Sequence, residues 1–314
     1  MDERRYDVVV VGGGPAGLAG AVALGRSLRT VLVADGGQPR NAVSPGAHNV
    51  LGHEGIAPQQ LLKAGRQEAA SYGVELHDGE VLGARRDAGT FVLDLGDGVP
   101  VRARRLLLAT GLVDELPEIP GIGQAWGRTV LHCPYCHGWE VRGQRIGVLG
   151  TGPRAVHQTL LFRQLSPDVT LFRHTMPELS DEEWEQLAAL GVQVVDGTVE
   201  RVRTEGDQVR AAVLAGGREV PVDALAVAPG FTARAGLYEQ LGGVVATHEA
   251  GGTYVRTEAA GRTEVPGVWA AGNVADPGAV VVAATAAGLW AGGAINADLV
   301  LEDARTAVAT RAAR

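Results

Sequence analysis

Two cysteines stand three apart in Cys133-Pro134-Tyr135-Cys136, with His132 before them and His137 after, and the 314 residues hold no other cysteine. A C-x-x-C closes a small disulfide loop and depresses a thiol pKa, so such a pair exchanges readily with other thiols. Cys133 and Cys136 are the candidate redox residues. An imidazole can take and return the proton that exchange must move, which makes His137 the candidate base and His132 a second one. The alternative for His137 is a ring that only orients the loop. Half a zinc site is the competing reading of the pair. Zinc needs two further ligands, no second C-x-x-C exists, and histidines adjoining the cysteines seldom converge with them on one tetrahedral ion. No metal is expected; an inert buried pair remains open.

A second constellation lies near the start. Gly12, Gly14 and Gly17, with Pro15 and Ala16 among them, form G-x-G-x-x-G straight after the apolar run Asp7–Val11 and before a helical stretch. The first glycine permits a tight turn, the second lets backbone approach a pyrophosphate at a helix N-terminus, and the third lets helix and strand pack closely. Asp35 closes the next apolar strand, where a carboxylate can accept from ribose hydroxyls. Glycines also cap ordinary loops, but here strand, loop, helix, strand and acid agree. FAD is expected rather than NAD, because Ala109-Thr110-Gly111 and Gly272-Asn273 supply two more strand-end loops of the kind a long cofactor needs.

These residues require a frame of parallel strands. Asp7–Val11 and Thr30–Ala34 read as buried strands around a helix from Ala16 to Ser27. Leu106–Ala109 is another strand. Leu116-Pro117-Glu118-Ile119-Pro120-Gly121 reads as a stiff crossing between domains. The first pattern then repeats. Arg145–Leu149 is a strand, 150–155 (GTGPRA) a glycine turn, Val156–Gln164 a helix and Asp168–Phe172 a strand. Ser180 caps a helix to Leu190, and 192–227 alternates as sheet. A second crossing falls near Phe231, followed by a strand running into Gly272 and an Ala/Gly helix from Val281 to about Leu301. The expected fold is α/β with two Rossmann-like domains, the second inserted in the first: 1–115, 116–232 and 233–314.

Composition is consistent with this. A chain of this length favours two domains, and 46% hydrophobic residues suffice for two cores. With 28 basic against 36 acidic residues and no basic block, nucleic acid and anionic membranes are not expected partners. No apolar run is long enough to span a bilayer and no export signal opens the chain, so a cytoplasmic protein is expected.

The opening GGGPAG after a strand, the ATG near residue 110, a C-x-x-C-x-G ahead of a second G-x-G-x-x-A, and GVWAAGN before an Ala-rich helix resemble low-molecular-weight thioredoxin reductases over nearly the whole chain. The resemblance implies an FAD domain, an inserted NADPH domain carrying the cysteines, and a homodimer. By matched positions, Gly36, Gln38, Arg40 and Asn41 run along the adenosine and diphosphate. Asn49 and Val81 approach the cofactor, Asn273 stands where the reductases have an aspartate at the ribitol, and Val281 meets the pyrimidine ring; ordinary turn asparagines are the alternative for Asn49 and Asn273. Three departures bear on function. His137 replaces the aspartate that follows the second cysteine. The basic run that grips the 2′-phosphate of NADPH is reduced to Arg173-His174, with Glu178 nearby. Pro153-Arg154 removes a backbone donor from the second glycine loop. The stretch 133–143 (CPYCHGWEVRG) followed by 150–158 (GTGPRAVHQ) looks instead like the FAD-dependent dithiol oxidases that close disulfides in holomycin, gliotoxin and romidepsin, the holomycin enzyme above all. That likeness implies a small-molecule dithiol as substrate and O2 as electron acceptor, with Cys133 the outer sulfur and Cys136 nearer the flavin. An NADPH- or ferredoxin-dependent disulfide reductase and a flavin redox sensor without turnover are the rivals. Trp139 and Trp126 are expected in the core, the alternative being that they line a small aromatic site.

Overall fold

The computed structural model describes residues 4–249 and 251–313. They form two compact units: one of 4–42, 56–113, 231–249 and 251–313, the other of 43–55 and 114–230.

The first unit is built on β1 (Arg4–Val11), α1 (Pro15–Arg26), β2 (Val31–Asp35), α2 (Pro58–Ser71), β3 (Glu75–Asp78), β4 (Gly83–Asp87), β5 (Thr90–Asp94) and β6 (Val101–Leu108). The sheet order is β3-β2-β1-β6-β5-β4, parallel from β3 to β6. One edge of β6 is shared. Its first half pairs antiparallel with β5, and Leu106–Leu108 pair parallel with the late strand Val268–Ala270. Val8 to Val11 are buried, as a central parallel strand requires. Alternation divides them between two cores: Val8 and Val10 pack with α1 and the C-terminal helix, Val9 and Val11 with Phe91 and Tyr238. Each such burial is worth about 1.5–3 kcal/mol.

The C-terminal helix runs Val281–Ala312, past the expected end at Leu301. Two causes extend it. The added residues are alanine-rich, and Glu302 and Asp303 form ion pairs with Arg104 and Arg105 of β6. The helix crosses α1 through small residues. A Cβ at Gly288 would collide with the Ala16 carbonyl, and one at Gly292 would lie 2.7 Å from the Gly20 carbonyl.

The second unit holds a five-stranded parallel sheet in the order Gln193–Val195, Val169–Phe172, Ile146–Leu149, Ala224–Ala226, Val130–Leu131. An antiparallel meander, Val199–Glu205, Gln208–Leu214 and Glu219–Pro221, accounts for much of the alternating stretch. The helix Asp181–Ala189 begins in a capping box between Ser180 and Glu183. Trp126 packs on this unit's core, but Trp139 is 65% exposed, with Arg142 stacked 4.0 Å over its ring. The expectation of a buried Trp139 is therefore corrected. It sits on a single-turn helix, Trp139–Val141, whose Val141 takes the core position.

Candidate functional site: a cysteine turn and two glycine loops

In the first unit, β1 ends at Val11 and α1 begins at Pro15, so Gly12–Gly14 make the whole turn. Gly12 has φ +105°, and a Cβ there would collide with the Ala109 carbonyl; only glycine meets both demands. A Cβ at Gly17 would collide with the Gly12 carbonyl. At Gly14, by contrast, a Cβ would meet nothing within 4 Å. The start of α1 carries Pro15 in its first turn, no side-chain cap and no acid, which leaves its N–H groups for an anionic ligand. Asp35 lies against this turn, its carboxylate 2.7 Å from where a Gly13 Cβ would stand. A Cβ at Gly272 would come within 2.9 Å of Ala16. The loops at Gly12–Gly17, Ala109–Gly111 and Gly272–Asn273 thus meet at the start of α1, and the chemistry of this cradle fits a pyrophosphate.

The other expected cofactor residues are distributed around this cradle or away from it. Thr110 Oγ1 donates to the Arg234 carbonyl at 2.7 Å. Arg40 donates to the Pro277 carbonyl at 3.3 Å, and its guanidinium lies over Phe231. The Asn273 amide donates to Ala279 O at 2.9 Å and to Asp276 O at 3.1 Å, tying down the turn that leads to Val281. Val81 packs half-buried on the unit's core. Gly36 and Gln38 are exposed and Asn41 half-buried. The sequence reading missed Glu80, which lies against Gly36, and Arg66, 3.8 Å from Asp35; neither belongs to a recognisable spacing.

In the second unit, Cys133 caps the short helix Pro134–His137. Cys133 and Cys136 form a disulfide, with Cα atoms 5.2 Å apart. The Cys136 N–H donates to Cys133 Sγ at 3.1 Å, an interaction that favours a thiolate there once the bond opens. Gly138 closes the turn with its N–H on the Pro134 carbonyl at 2.9 Å. Burial pushes the His137 imidazole below its ordinary range; Glu140 pulls it up, and His48 and Arg128 push it down. A neutral imidazole beside a disulfide is a proton acceptor. His132 is placed differently. Its Nδ1 lies 3.0 Å from the Val227 carbonyl, and buried Gln158 donates to its main-chain oxygen at 2.9 Å. Its ring joins two strands of the sheet.

Asn49 belongs to this unit and takes a left-handed conformation, φ +58°. Its side chain donates to the Tyr135 carbonyl, inside the C-x-x-C, at 2.8 Å. Its main-chain N–H donates to Glu54 at 2.8 Å. The other Glu54 oxygen meets His48 Nδ1 at 2.7 Å, and His48 Nε2 lies 3.4 Å from Glu140. His48, Glu54 and Glu140 were not singled out from the sequence, because their spacing carries no signature.

The second glycine loop follows the strand Ile146–Leu149. Arg173, at the end of the next strand, is paired with Glu178 and, at 2.8 Å, with Asp196. His174 accepts the Val199 N–H on Nδ1 at 3.1 Å, and burial pushes its imidazole pKa down. The turn after Arg173 folds back on the loop: Thr175 N–H donates to the Gly150 carbonyl at 3.0 Å, and Met176 Sδ stands 2.7 Å from where a Gly150 Cβ would lie.

Two nucleotide-type glycine loops and a C-x-x-C disulfide define a class of flavoproteins, and the chain belongs to the pyridine nucleotide-disulphide oxidoreductase family, which it matches over residues 6–288. It is an enzyme of thioredoxin-reductase type, and its cofactor is FAD. It is 32% identical over 311 residues to thioredoxin reductase sirT of Leptosphaeria maculans, covering 93% of each chain. It is 31% identical to thioredoxin reductase tcpT of Claviceps purpurea (strain 20.1), covering 75% of this chain and 77% of that one. Among solved structures it is similar to HlmI, with a TM-score of 0.90 at 44% identity over 98% of this chain and 96% of the other.

Proposed function

We propose that the enzyme is a dithiol oxidase. It forms an intramolecular disulfide in a small-molecule dithiol through Cys133 and Cys136 and passes the electrons to O2. The observation that carries this reading is the state of the second nucleotide cleft. A 2′-phosphate there would have to take Arg173 from two carboxylates, and it would find His174 bonded through Nδ1 and held towards its neutral form. Charge-assisted bonds are what hold a phosphate. The turn at Thr175–Met176, closed over Gly150, further supports a cleft that has given up NADPH.

In this reading His137 accepts the proton of one substrate thiol, whose sulfur attacks Cys133 and releases Cys136. The proton passes to Cys136. The second substrate thiol attacks the mixed disulfide, Cys133 leaves aided by the Cys136 N–H, and a proton follows it. Two electrons and two protons have left the substrate, and the enzyme holds two thiols. FAD supplies the acceptor that relays this pair to O2, giving H2O2. The residues that would hold it are Gly12–Gly17, Asp35, Gly36, Gln38, Arg40, Asn41, Thr110, Gly111, Gly272, Asn273 and Val281. The inserted unit serves as the cysteine domain, and the enzyme works as a homodimer in the cytoplasm.

Anaerobic titration tests this. Dithiothreitol should bleach the flavin absorbance and NADPH should leave it unchanged; air should restore it with one H2O2 per dithiol. Rapid bleaching by NADPH would establish the reductase instead. Cys133→Ser and Cys136→Ser should each stay yellow and lose turnover.

A further inference from the structure

The cysteine turn is held from outside by a chain of contacts that closes on itself. Asn49 grips the Tyr135 carbonyl, between the two cysteines. Glu54 fixes Asn49 through its main-chain N–H and holds His48 through the other oxygen. His48 spans from Glu54 to Glu140, three residues past His137. The brace therefore touches the turn on both sides of the candidate base.

We propose that His48, shared between Glu54 and Glu140, is a positioning residue that sets when His137 can accept a proton. It does not touch the sulfurs; it acts through Glu140 and through its own charge. The charged groups that act on His137 are Glu140, His48 and Arg128, and they pull in opposite directions. Glu140 stabilises the imidazolium, whereas His48 and Arg128 oppose it. His48 also occupies the Glu140 carboxylate, so it moderates that pull. Removing His48 leaves Glu140 unopposed on that side and makes His137 easier to protonate. Removing the Glu140 charge does the reverse. Among the described residues no three His, Cys, Asp or Glu side chains converge as a metal site, so the brace is read as a proton-setting device and not as a metal cage.

The inference rests on His137 serving the cysteine pair, and its test separates the two. The ring of His137 in the oxidised holoenzyme is followed by NMR of histidine-labelled protein across pH, with its signal assigned from H137Q. The midpoint should rise by at least about half a pH unit in His48→Gln and fall by a similar amount in Glu140→Gln. Visible flavin spectra and melting curves monitor folding, and Glu54→Gln, which frees His48 without deleting it, should shift the midpoint as His48→Gln does, by less. In parallel, the acid limb of anaerobic flavin bleaching by dithiothreitol should move in the same directions. Opposed shifts are something a purely structural brace would not give. Midpoints unmoved in both variants, or moved the same way, overturn the inference. Opposed midpoint shifts with no bleaching in the wild type would sustain it and instead sink the role of His137 in exchange.

Discussion

At the residue scale, His137 is the group whose chemistry the environment alters most usefully. Burial lowers its pKa, so the neutral, proton-accepting form persists to lower pH than for a free imidazole. The sign follows directly. In the proposed mechanism exchange depends on the neutral ring, so its rate should be full above the lowered pKa and fall as pH drops through it. The acid limb of dithiol-driven flavin reduction should therefore lie below the ordinary imidazole range near 6.5. His137→Gln should slow that reduction by about a hundredfold or more and abolish the limb. A limb unchanged in His137→Gln would assign the proton transfer elsewhere. His132 contributes differently: with its ring on Val227 O, His132→Gln should lower the melting temperature and leave the limb in place. Cys133, Cys136 and His137 were legible because they sit within one short motif. His48, Glu54 and Glu140 were not, because folding alone brings them together. Asn49 was noticed for a place near the flavin, and the contact the structure gives it is to the cysteine turn.

At the element scale, both strand–glycine–helix units were legible, because an all-apolar run breaking into glycines has few other physical readings. Helix ends were less so. The C-terminal helix outran its sequence estimate because Glu302 and Asp303, just past the expected end, pair with a distant strand and the residues beyond them are alanine-rich helix formers. The altered second cleft was legible as missing arginines, but the pairing of the remaining one with Glu178 and Asp196 was not. That pairing makes a measurable claim. The wild type should show no calorimetric binding of 2′,5′-ADP at submillimolar concentration, whereas Glu178→Gln combined with Asp196→Asn, by freeing Arg173, should bind it detectably. Micromolar binding by the wild type would contradict the proposed loss. The crossing of α1 with the C-terminal helix offers a second test. Gly288→Ala forces a methyl onto the Ala16 carbonyl, a cost of about 1–3 kcal/mol. It should lower the melting temperature by several degrees and loosen FAD, read as flavin lost on gel filtration.

For the whole molecule, the sequence carried the class and the cofactor type. Among the described residues no helix is long and apolar enough to cross a membrane. The C-terminal helix leaves Leu289, Trp290, Val300 and Leu301 exposed, an apolar row of the kind that subunit contacts bury. A homodimer should appear by sedimentation, and Trp290→Glu with Leu301→Arg should shift it towards monomer while leaving the protein yellow. A monomeric wild type would refute the homodimer.

The 43–55 segment is encoded ahead of most of the first unit yet packs with the second. Domain grafting must respect this. A chimera that takes only 114–230 from this enzyme acquires its cysteines but leaves behind the Asn49 grip and the His48 brace. The donor segment 43–55 has to travel with it, or the transplanted disulfide arrives without the contacts that Asn49 and His48 give its turn.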